Sequence, residues 1–445
     1  MKDKVPDLIV EGDIVLTMVD GQEPISNGRV CVCDGIITEV ADRQKDGNES
    51  FTREPEAIGG SRTLVMPGLI NGHTHAAMSI FRGLADDFPL KTWLFEKIFP
   101  AEARYVNENS VYWGGMLSCL EMMASGTTCI ADGYFYQDAT VKAICDSGMR
   151  GIISQGVIDL PAPGVEDPRE NLLKAEEFIS RWSGFSDMIL PSLFCHSPVT
   201  CSKKTLTGSA EIAADYGVPL MMHLSETAQE VDEILKSTGL RPVHYLAELG
   251  VLDQNLIAVH AVHLDEGEIL RIRENGVAVV HVPESNMKLC SGIARVHDMI
   301  EAGIKVGLGT DGPASNNDLD LLVEMDTAAK LGKVFSGDPT RMDARSVLRM
   351  ATVEGASVLG LDNEIGTLEA GKKADIITID LDSPNLCPFY DPYSAIVYSA
   401  CGSNVSNVII DGKTVMRNRK FSYIEKCEVI NQVIEIAREI ESNSF

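Results

Sequence analysis

From residue 64 onward, eight short apolar runs alternate with longer segments of helical periodicity, and this alternation limits the fold more than any other feature of the sequence. Several intervening segments carry an apolar stripe at helical spacing and end at a glycine, as in 109–126 and 206–217. Eight strand-then-helix repeats predict a closed parallel (β/α)8 TIM barrel. An open doubly wound sheet would carry a glycine-rich phosphate loop after its first strand, and GHTHAAMS is not such a loop. The eight apolar runs cover residues 64–75, 127–135, 150–159, 189–198, 219–226, 256–264, 277–285 and 306–312.

The two chain ends show a different pattern. The stretches LIVEGDIVLTMVDG and GRVCVCDGIITEVA are typical of antiparallel strands joined by glycine turns, and a similar pattern returns in ADIITIDLD and VSNVIIDGKTVM. We therefore expect residues 1–63 and 366–423 to form one small β-sandwich-like domain beside a barrel of residues 64–365. A helical tail is expected over residues 424–445.

Charge and composition limit the classes of molecule that the protein is expected to bind. With 38 basic and 65 acidic residues, the net charge of −27 repels nucleic acids and anionic lipid surfaces, so a small-molecule partner is expected. The N-terminal stretch is interrupted by Asp7, Glu11 and Asp13, which is unlike a signal or transit peptide, and no apolar run is long enough to cross a bilayer. The eleven cysteines never form a Cys-x-x-Cys pair and are interpreted as small buried residues of a cytoplasmic protein.

Polar side chains, histidines above all, follow the predicted strands. Active sites of such barrels lie at the mouth formed by the C-terminal strand ends. All nine histidines fall between residues 73 and 297, inside the predicted barrel. The polar groups at the predicted strand ends are His73, His75, Asp132, Gln155, His196, His223, Glu226, His260, His263, Glu284, Ser285 and Asp311.

Four of these side chains suit a metal ion. His73 and His75 are two residues apart and would project to the same side of a strand. A mononuclear Zn²⁺ site needs three or four nitrogen or oxygen ligands with one position open to water. His73, His75, His223 and Asp311 supply such a set.

Five stretches then make a family resemblance specific. PGLINGHTHAAMS, HLSET, HAVHL, PESNMKLCSG and GTDGPASNNDLD occur in this order and resemble the amidohydrolase superfamily. FRGLADD, WLFEKIFPAE and CHSPVTCS further resemble the branch that contains 5′-methylthioadenosine/S-adenosylhomocysteine deaminases, and the similarity covers almost the whole chain. The resemblance implies the same four metal ligands. It also implies that Glu226 shuttles a proton and that His260, with Asp311, assists the attacking water.

The resemblance further implies the substrate contacts. Glu102 matches a carboxylate that accepts hydrogen bonds from ribose hydroxyls, Trp93 matches an aromatic wall, and His196 matches a purine or ribose contact. Ser315 is a further candidate contact. For the carboxylate of an adenosylhomocysteine tail, Arg169 is a candidate by position. Gln155, however, stands where members that accept this tail are expected to carry arginine, which shifts weight toward methylthioadenosine, adenosine or 5′-deoxyadenosine.

The remaining histidines are assigned no catalytic role. His263 has the opposite strand parity to His260 and is expected to be structural, and His281 is expected to be a core residue. His244 and His297 lie in helical segments away from the mouth.

The predicted function is hydrolytic deamination of an adenosine-type nucleoside with one divalent metal, most simply Zn²⁺, although Fe²⁺ and Mn²⁺ accept the same ligands. The alternative is a hydrolase of the same branch acting on another amino- or chloro-substituted heterocycle, such as guanine or a triazine; a metal-free scaffold ranks third. A binuclear centre would need a lysine at the end of the fourth strand, and Lys203 and Lys204 come too late. Homo-oligomers are frequent in this branch, so association of the chain is left open.

Overall fold

Two eight-stranded sheets organise the computed structural model, which describes residues 5–43 and 55–443. The strands, in chain order, are β1 (Leu8–Val15), β2 (Ile25–Cys33), β3 (Ile36–Asp42), β4 (Glu56–Pro67), β5 (Leu69–Thr74), β6 (Thr127–Tyr134), β7 (Arg150–Val157), β8 (Ile189–Cys195), β9 (Leu220–Leu224), β10 (Leu256–His260), β11 (Ala278–His281), β12 (Val306–Leu308), β13 (Ile376–Asp380), β14 (Val405–Ile410), β15 (Lys413–Arg417) and β16 (Lys420–Phe421). Strands β5 to β12 pair in parallel in chain order, and a bridge between Thr74 and Asp311 joins the first strand to the loop after the last. This sheet is the predicted (β/α)8 barrel.

Helices cover the barrel. One helical stretch runs from Leu90 to Tyr105, with a π-helical turn at Trp93–Ile98. The other α-helices are Glu108–Ala124, Gln137–Ser147, Asn171–Trp182, Lys203–Tyr216, Ala228–Thr238, Pro242–Leu249, Glu266–Glu274, Pro283–Lys288, Val296–Glu301, Leu321–Ser336, Ala344–Met350, Val353–Val358, Pro392–Tyr398 and Lys426–Asn443. Among the described residues, no helix combines the length and apolarity that a bilayer crossing requires.

The second sheet is built from both chain ends. Its order is β16-β15-β14-β13-β4-β1-β2-β3. Most neighbours pair antiparallel, as expected, but β1 and β4 run parallel, which makes the sheet mixed. The C-terminal helix begins at Lys426, close to the start of the predicted tail.

The first predicted run, residues 64–75, covers two strands of different sheets. Leu64 to Pro67 belong to β4 and pair with β13, whereas β5 starts the barrel at Leu69. Gly68 lies between them, and a Cβ atom there would meet Oγ1 of Thr128 at 2.1 Å. The end of β4 and all of β5 are buried on both faces, so the sequence shows one continuous apolar run and no break in periodicity.

The run at 277–285 is also shorter than predicted. Strand β11 ends at His281, and Pro283 opens a short helix that carries Glu284 and Ser285. Proline fits the first turn of a helix because that turn leaves N–H groups without intrahelical partners. These two side chains are therefore presented from a helix and not from a strand end.

Candidate metal centre and substrate cavity

The four predicted metal ligands converge at the mouth of the barrel. His73 comes from β5, His75 follows that strand, His223 comes from β9, and Asp311 lies just after β12. One ligand atom from each of these side chains lies within 4.8 Å of every other. Nε2 of His73 lies 3.2 Å from Nε2 of His223, and Oδ1 of Asp311 lies 3.3 Å from Nε2 of His75. Residues far apart in the sequence thus share one centre.

Hydrogen bonds from outside the cluster orient its members. Nδ1 of His75 donates to the main-chain carbonyl of Gly133, which leaves Nε2 as the nitrogen that faces the cluster. Asp311 accepts hydrogen bonds at Oδ2 from Ser285 Oγ at 2.6 Å and from Ser315 Oγ at 2.8 Å. Its other oxygen, Oδ1, is left to face His73 and His75.

Burial sets the protonation of the ligands. Burial lowers the pKa of His73 to about 4 and that of His223 well below its usual value, so both imidazoles are neutral near pH 7. For Asp311, burial alone would raise the pKa, but hydrogen bonds with His73 and His75 hold it well below its usual range. Neutral imidazole nitrogens and an ionised carboxylate are the forms that bind a metal. For His75, burial alone would lower the pKa, but the hydrogen bond and the negative charge of Asp311 raise it, so a metal would displace any proton that this imidazole carries. Three imidazole nitrogens and one carboxylate oxygen fit a single divalent ion.

Two further polar groups stand beside this cluster. Glu226 is buried and receives a hydrogen bond at Oε1 from Ser291 Oγ at 2.9 Å. Its Oε2 lies 3.6 Å from Nε2 of His260, whose Nδ1 donates to Oδ1 of Asn286 at 2.8 Å. Burial, reinforced by the negative charge of Asp311, raises the pKa of Glu226 to about 8. Burial of this kind favours the protonated form, in which the carboxyl group can give a proton to a molecule in the cavity.

A cavity opens directly onto the cluster. His75, His223, Glu226, His260 and Asp311 line its inner end. Apolar and aromatic side chains form most of the remaining wall, as is usual for small-molecule sites. They include Met78, Leu90, Leu94, Ile98, Phe99, Tyr134, Phe135, Ile158, Phe194 and Leu289.

Four predicted substrate contacts line the same cavity: Trp93, Glu102, His196 and Ser315. Glu102 is buried, and Tyr134 Oη donates to its Oε1 at 2.7 Å. Burial raises the pKa of Glu102 to about 7 and lowers that of His196 to about 3. Ser315 also donates to Asp311, so it lies both at the cluster and at the cavity wall.

The structure does not bring the other two predicted contacts to the cavity. Gln155 lies on β7 with the same parity as Ile153, which packs with the helix layer, and its amide contacts the carbonyl of Gly156 at 3.4 Å. Arg169 has a side chain that is 88% exposed and is held by Asp167 on the protein surface. Neither side chain lines the cavity among the described residues.

Several residues that shape the site were not predicted. Ser291 holds Glu226, Asn286 holds His260, and Tyr134 holds Glu102. Ser285, which was among the predicted strand-end groups but had no assigned role, holds Asp311. Ser285, Asn286 and Ser291 all lie inside the PESNMKLCSG stretch, which was the available signal. Parity alone says which side of a strand a residue faces and does not identify such supporting partners.

The two histidines of the HAVH stretch, His260 and His263, lie in different surroundings. His260 lines the cavity, whereas Nε2 of His263 donates to the carbonyl of Ser291 at 2.6 Å. His281 is buried outside the cavity. His297 lies in the helix Val296–Glu301, beside Glu301.

Comparison with known proteins identifies the family of this chain. Residues 64–415 match the model of the amidohydrolase family. A 5-methylthioadenosine/S-adenosylhomocysteine deaminase of Syntrophus aciditrophicus is 43% identical over 98% of both chains, and a 5′-deoxyadenosine deaminase of Methanosarcina acetivorans is also 43% identical over 98% of both. The crystal structure of an adenosine deaminase from Xanthomonas campestris with bound zinc is 34% identical, superposes with a TM-score of 0.95, and covers 98% of this chain and 99% of that one. Sequence, fold and the metal-ligand cluster agree: this chain belongs to the amidohydrolase family.

Proposed function

We propose that the protein is a metal-dependent deaminase that hydrolyses the exocyclic amino group of an adenosine-type nucleoside, giving the inosine analogue and ammonia. The observation that carries this proposal is the position of the buried carboxyl group of Glu226 between the metal-ligand cluster and the apolar cavity. A proton donor at that point faces the ring nitrogen next to the carbon that water attacks. The activities named for the relatives from Syntrophus and Methanosarcina support the same substrate class.

The metal would be held by His73, His75, His223 and Asp311. A divalent ion at such a site lowers the pKa of water from 15.7 to about 7, which makes hydroxide available at neutral pH. We propose Zn²⁺ because the Xanthomonas relative was solved with zinc and the nitrogen-rich ligand set suits that ion. Fe²⁺ and Mn²⁺ accept the same ligands, so metal analysis of the purified protein is needed to identify the ion.

The chain's own groups handle the protons. Glu226 protonates the ring nitrogen beside the reacting carbon, which relieves the negative charge that develops as water adds. His260 and Asp311 orient the water and accept its proton. The amino group takes up the proton that His260 and Asp311 accepted from the water, so the carbon–nitrogen bond breaks with ammonia as the leaving group. The proton of the added hydroxyl group then returns to Glu226, which leaves the inosine analogue and restores the starting state.

The charges that line the cavity influence which 5′ substituent the nucleoside substrate can carry. Within residues 5–43 and 55–443, the lining has four carboxyl groups and no lysine or arginine. In the adjoining cleft, Lys91 pairs with Glu233 at 3.1 Å and Lys288 pairs with Asp86 at 2.7 Å. A carboxylate on a homocysteine tail would therefore find no unpaired cation among the lining residues. We propose that methylthioadenosine, adenosine and 5′-deoxyadenosine are better substrates than adenosylhomocysteine.

An ammonia-release screen with metal-loaded protein tests the proposal. The substrates are adenosine, 5′-methylthioadenosine, 5′-deoxyadenosine, S-adenosylhomocysteine, guanine and an aminotriazine. We expect turnover of the neutral nucleosides, with a lower kcat/KM for adenosylhomocysteine. Turnover of guanine or the triazine with none of the nucleosides would instead establish the alternative hydrolase, and complete inactivity of metal-containing protein would contradict both.

A further inference from the structure

The segment that closes one side of the cavity lies outside the barrel strands. This cover segment, residues 88–106, lies in the connection between β5 and β6 and is helical from Leu90 to Tyr105. It supplies a large part of the cavity wall, including the candidate ribose contact Glu102. Its residues at the cavity are Leu90, Trp93, Leu94, Ile98, Phe99 and Glu102. Whatever holds the cover segment in place therefore sets the shape of the cavity.

The C-terminal helix, Lys426–Asn443, packs mainly on the helix Glu108–Ala124 and on the turn Ala76–Phe81, and it reaches the cover segment near its own C-terminal end. Val429, Val433, Ile436 and Ile440 recur at helical spacing along the face that is turned toward the protein. Val433 and Ile440 share one apolar cluster with Trp93, Ile98 and Tyr105. The opposite face is in solvent, and Ile434 there is 42% exposed.

A hydrogen bond links the two elements at their ends. Tyr105 Oη donates to the main-chain carbonyl of Ile440 at 3.4 Å, and the side chains of both residues are buried. Tyr105 ends the helix Phe99–Tyr105, and Glu102 lies three residues before it, on the neighbouring position of the same helical face. An anchored Tyr105 therefore restricts the helical turn that presents Glu102 to the cavity.

We propose that the C-terminal helix positions the cover segment for substrate binding, with Ile440 and Tyr105 as the positioning residues. Neither residue lines the cavity, so each acts through Glu102 and the aromatic wall. Metal binding is independent of this contact because His73, His75, His223 and Asp311 come from the barrel mouth. The proposal rests on the proposed function in one respect, namely that the cavity is the nucleoside site.

Three single variants separate positioning from plain stability. Ile440→Ala deletes the buried side chain, Tyr105→Phe removes the hydroxyl that donates to Ile440, and Ile434→Ala is the matched control on the exposed face of the same helix. Ile440→Val, which removes far less of the side chain, keeps the test usable if Ile440→Ala does not fold. Zinc content and kcat should change less than about twofold in all of them, whereas a tenfold rise in KM would correspond to about 1.4 kcal/mol of lost binding.

We expect KM for 5′-methylthioadenosine to rise about tenfold in Ile440→Ala and about threefold in Tyr105→Phe, with Ile434→Ala like the unmodified protein. A lowered melting temperature with unchanged KM would overturn the proposal, because the helix would then contribute stability only. An equal rise of KM in Ile434→Ala would overturn the proposal as well, since Ile434 is not part of the apolar cluster that Val433 and Ile440 share with the cover segment.

Hydrogen exchange gives a readout that needs no activity. Amides of residues 90–105 should exchange faster in Ile440→Ala and Tyr105→Phe than in Ile434→Ala, while amides of β9 remain unchanged. Identical exchange in the three variants would overturn the proposal. If the unmodified protein releases no ammonia from any adenosine analogue, the proposed function fails, and this exchange comparison still decides whether the helix holds the segment.

Discussion

Glu226 and Glu102 are two buried carboxyl groups in one cavity, and their surroundings suit them to different tasks. Glu226 lies beside His260 and the negative charge of Asp311, which favours its protonated form. Glu102 lies against Tyr134 and has a pKa raised to about 7 by burial, so it changes ionisation near neutral pH. One group is poised to donate a proton, and the other becomes an acceptor for hydroxyl groups when it ionises.

Replacement of Glu226 by glutamine should lower kcat by about 10²- to 10⁴-fold because the amide cannot transfer the proton. The bound metal should remain, since Glu226 is not one of the four ligands. Ammonia release and elemental analysis measure the two effects. Glu177→Gln, which changes an exposed carboxylate on the helix Asn171–Trp182, is the control and should behave like the unmodified protein. An unchanged kcat in Glu226→Gln would remove Glu226 from the mechanism.

The ionisation of Glu102 predicts a pH dependence. Burial raises its pKa to about 7, so the neutral form dominates below that pH and the carboxylate above it. The carboxylate can accept hydrogen bonds from both ribose hydroxyls, and kcat/KM for adenosine should therefore rise as the pH increases through about 7. A 2′,3′-dideoxy analogue lacks those hydroxyls and should show no such rise. The same rise with both substrates would assign the ionisation to another group.

At the scale of single residues, the sequence was most informative where chemistry is specific. Three histidines and an aspartate at strand ends predicted the cluster that the structure brings together. Gln155 illustrates the limit, because its side of β7 depends on the exact strand register and not on the strand's existence. Arg169 shows a second limit, since a loop residue can pair locally, here with Asp167, instead of reaching into a site. A serine such as Ser291, which supports Glu226 by a hydrogen bond, belongs to no sequence pattern that indicates this role.

Among the elements, the junction at Gly68 is the clearest departure from the predicted strands. Hydrophobic periodicity found the barrel strands because each is a short apolar run between helical segments. Periodicity could not divide residues 64–75, because the end of β4 and all of β5 are buried and follow each other directly. The division is imposed by the close approach of Gly68 to Thr128 and by the pairing of Met66 with Ile377, a partner far along the chain.

Gly68→Ala should lower the free energy of unfolding by about 1–3 kcal/mol, because an added Cβ would overlap the side chain of Thr128. Urea denaturation measures the change. The double variant Gly68→Ala with Thr128→Ala should recover part of the loss, since Oγ1 and Cγ2 of Thr128 are the nearest atoms. Equal destabilisation in the single and double variants would mean that backbone conformation, and not this contact, requires glycine.

The two sheets of the molecule are joined by a buried ion pair. Arg150 at the start of β7 donates to Asp375, just before β13, through Nε at 2.9 Å and Nη2 at 3.2 Å. Both side chains are 3% exposed. Asp375 also accepts a hydrogen bond from the main-chain N–H of Asp411 at 2.8 Å, so one carboxylate connects three segments. Self-association of the chain and its cytoplasmic location remain predictions.

Asp375→Asn should destabilise the protein by about 3–5 kcal/mol, because it removes the nearer counter-charge of the buried Arg150 guanidinium and leaves only Asp411, at 3.9 Å. The matched control is Glu56→Gln, which removes the acidic partner of Arg417 in an exposed pair of the mixed sheet. Exposed pairs contribute about 0–1 kcal/mol, so this change should be small. Denaturant midpoints compare the two variants, and similar losses in both would contradict a special role for the buried pair.

The pairing of β4 with β13 also has a consequence for biosynthesis. About 310 residues separate Met66 from Ile377, so at about 5–20 residues per second the ribosome needs roughly 15–60 s to deliver the second strand after the first. During that interval one edge of β4 in the nascent chain has no strand to pair with, and an unpaired apolar edge is a template for aggregation. Ribosome-associated chaperones would protect this edge until the last fifth of the polypeptide emerges.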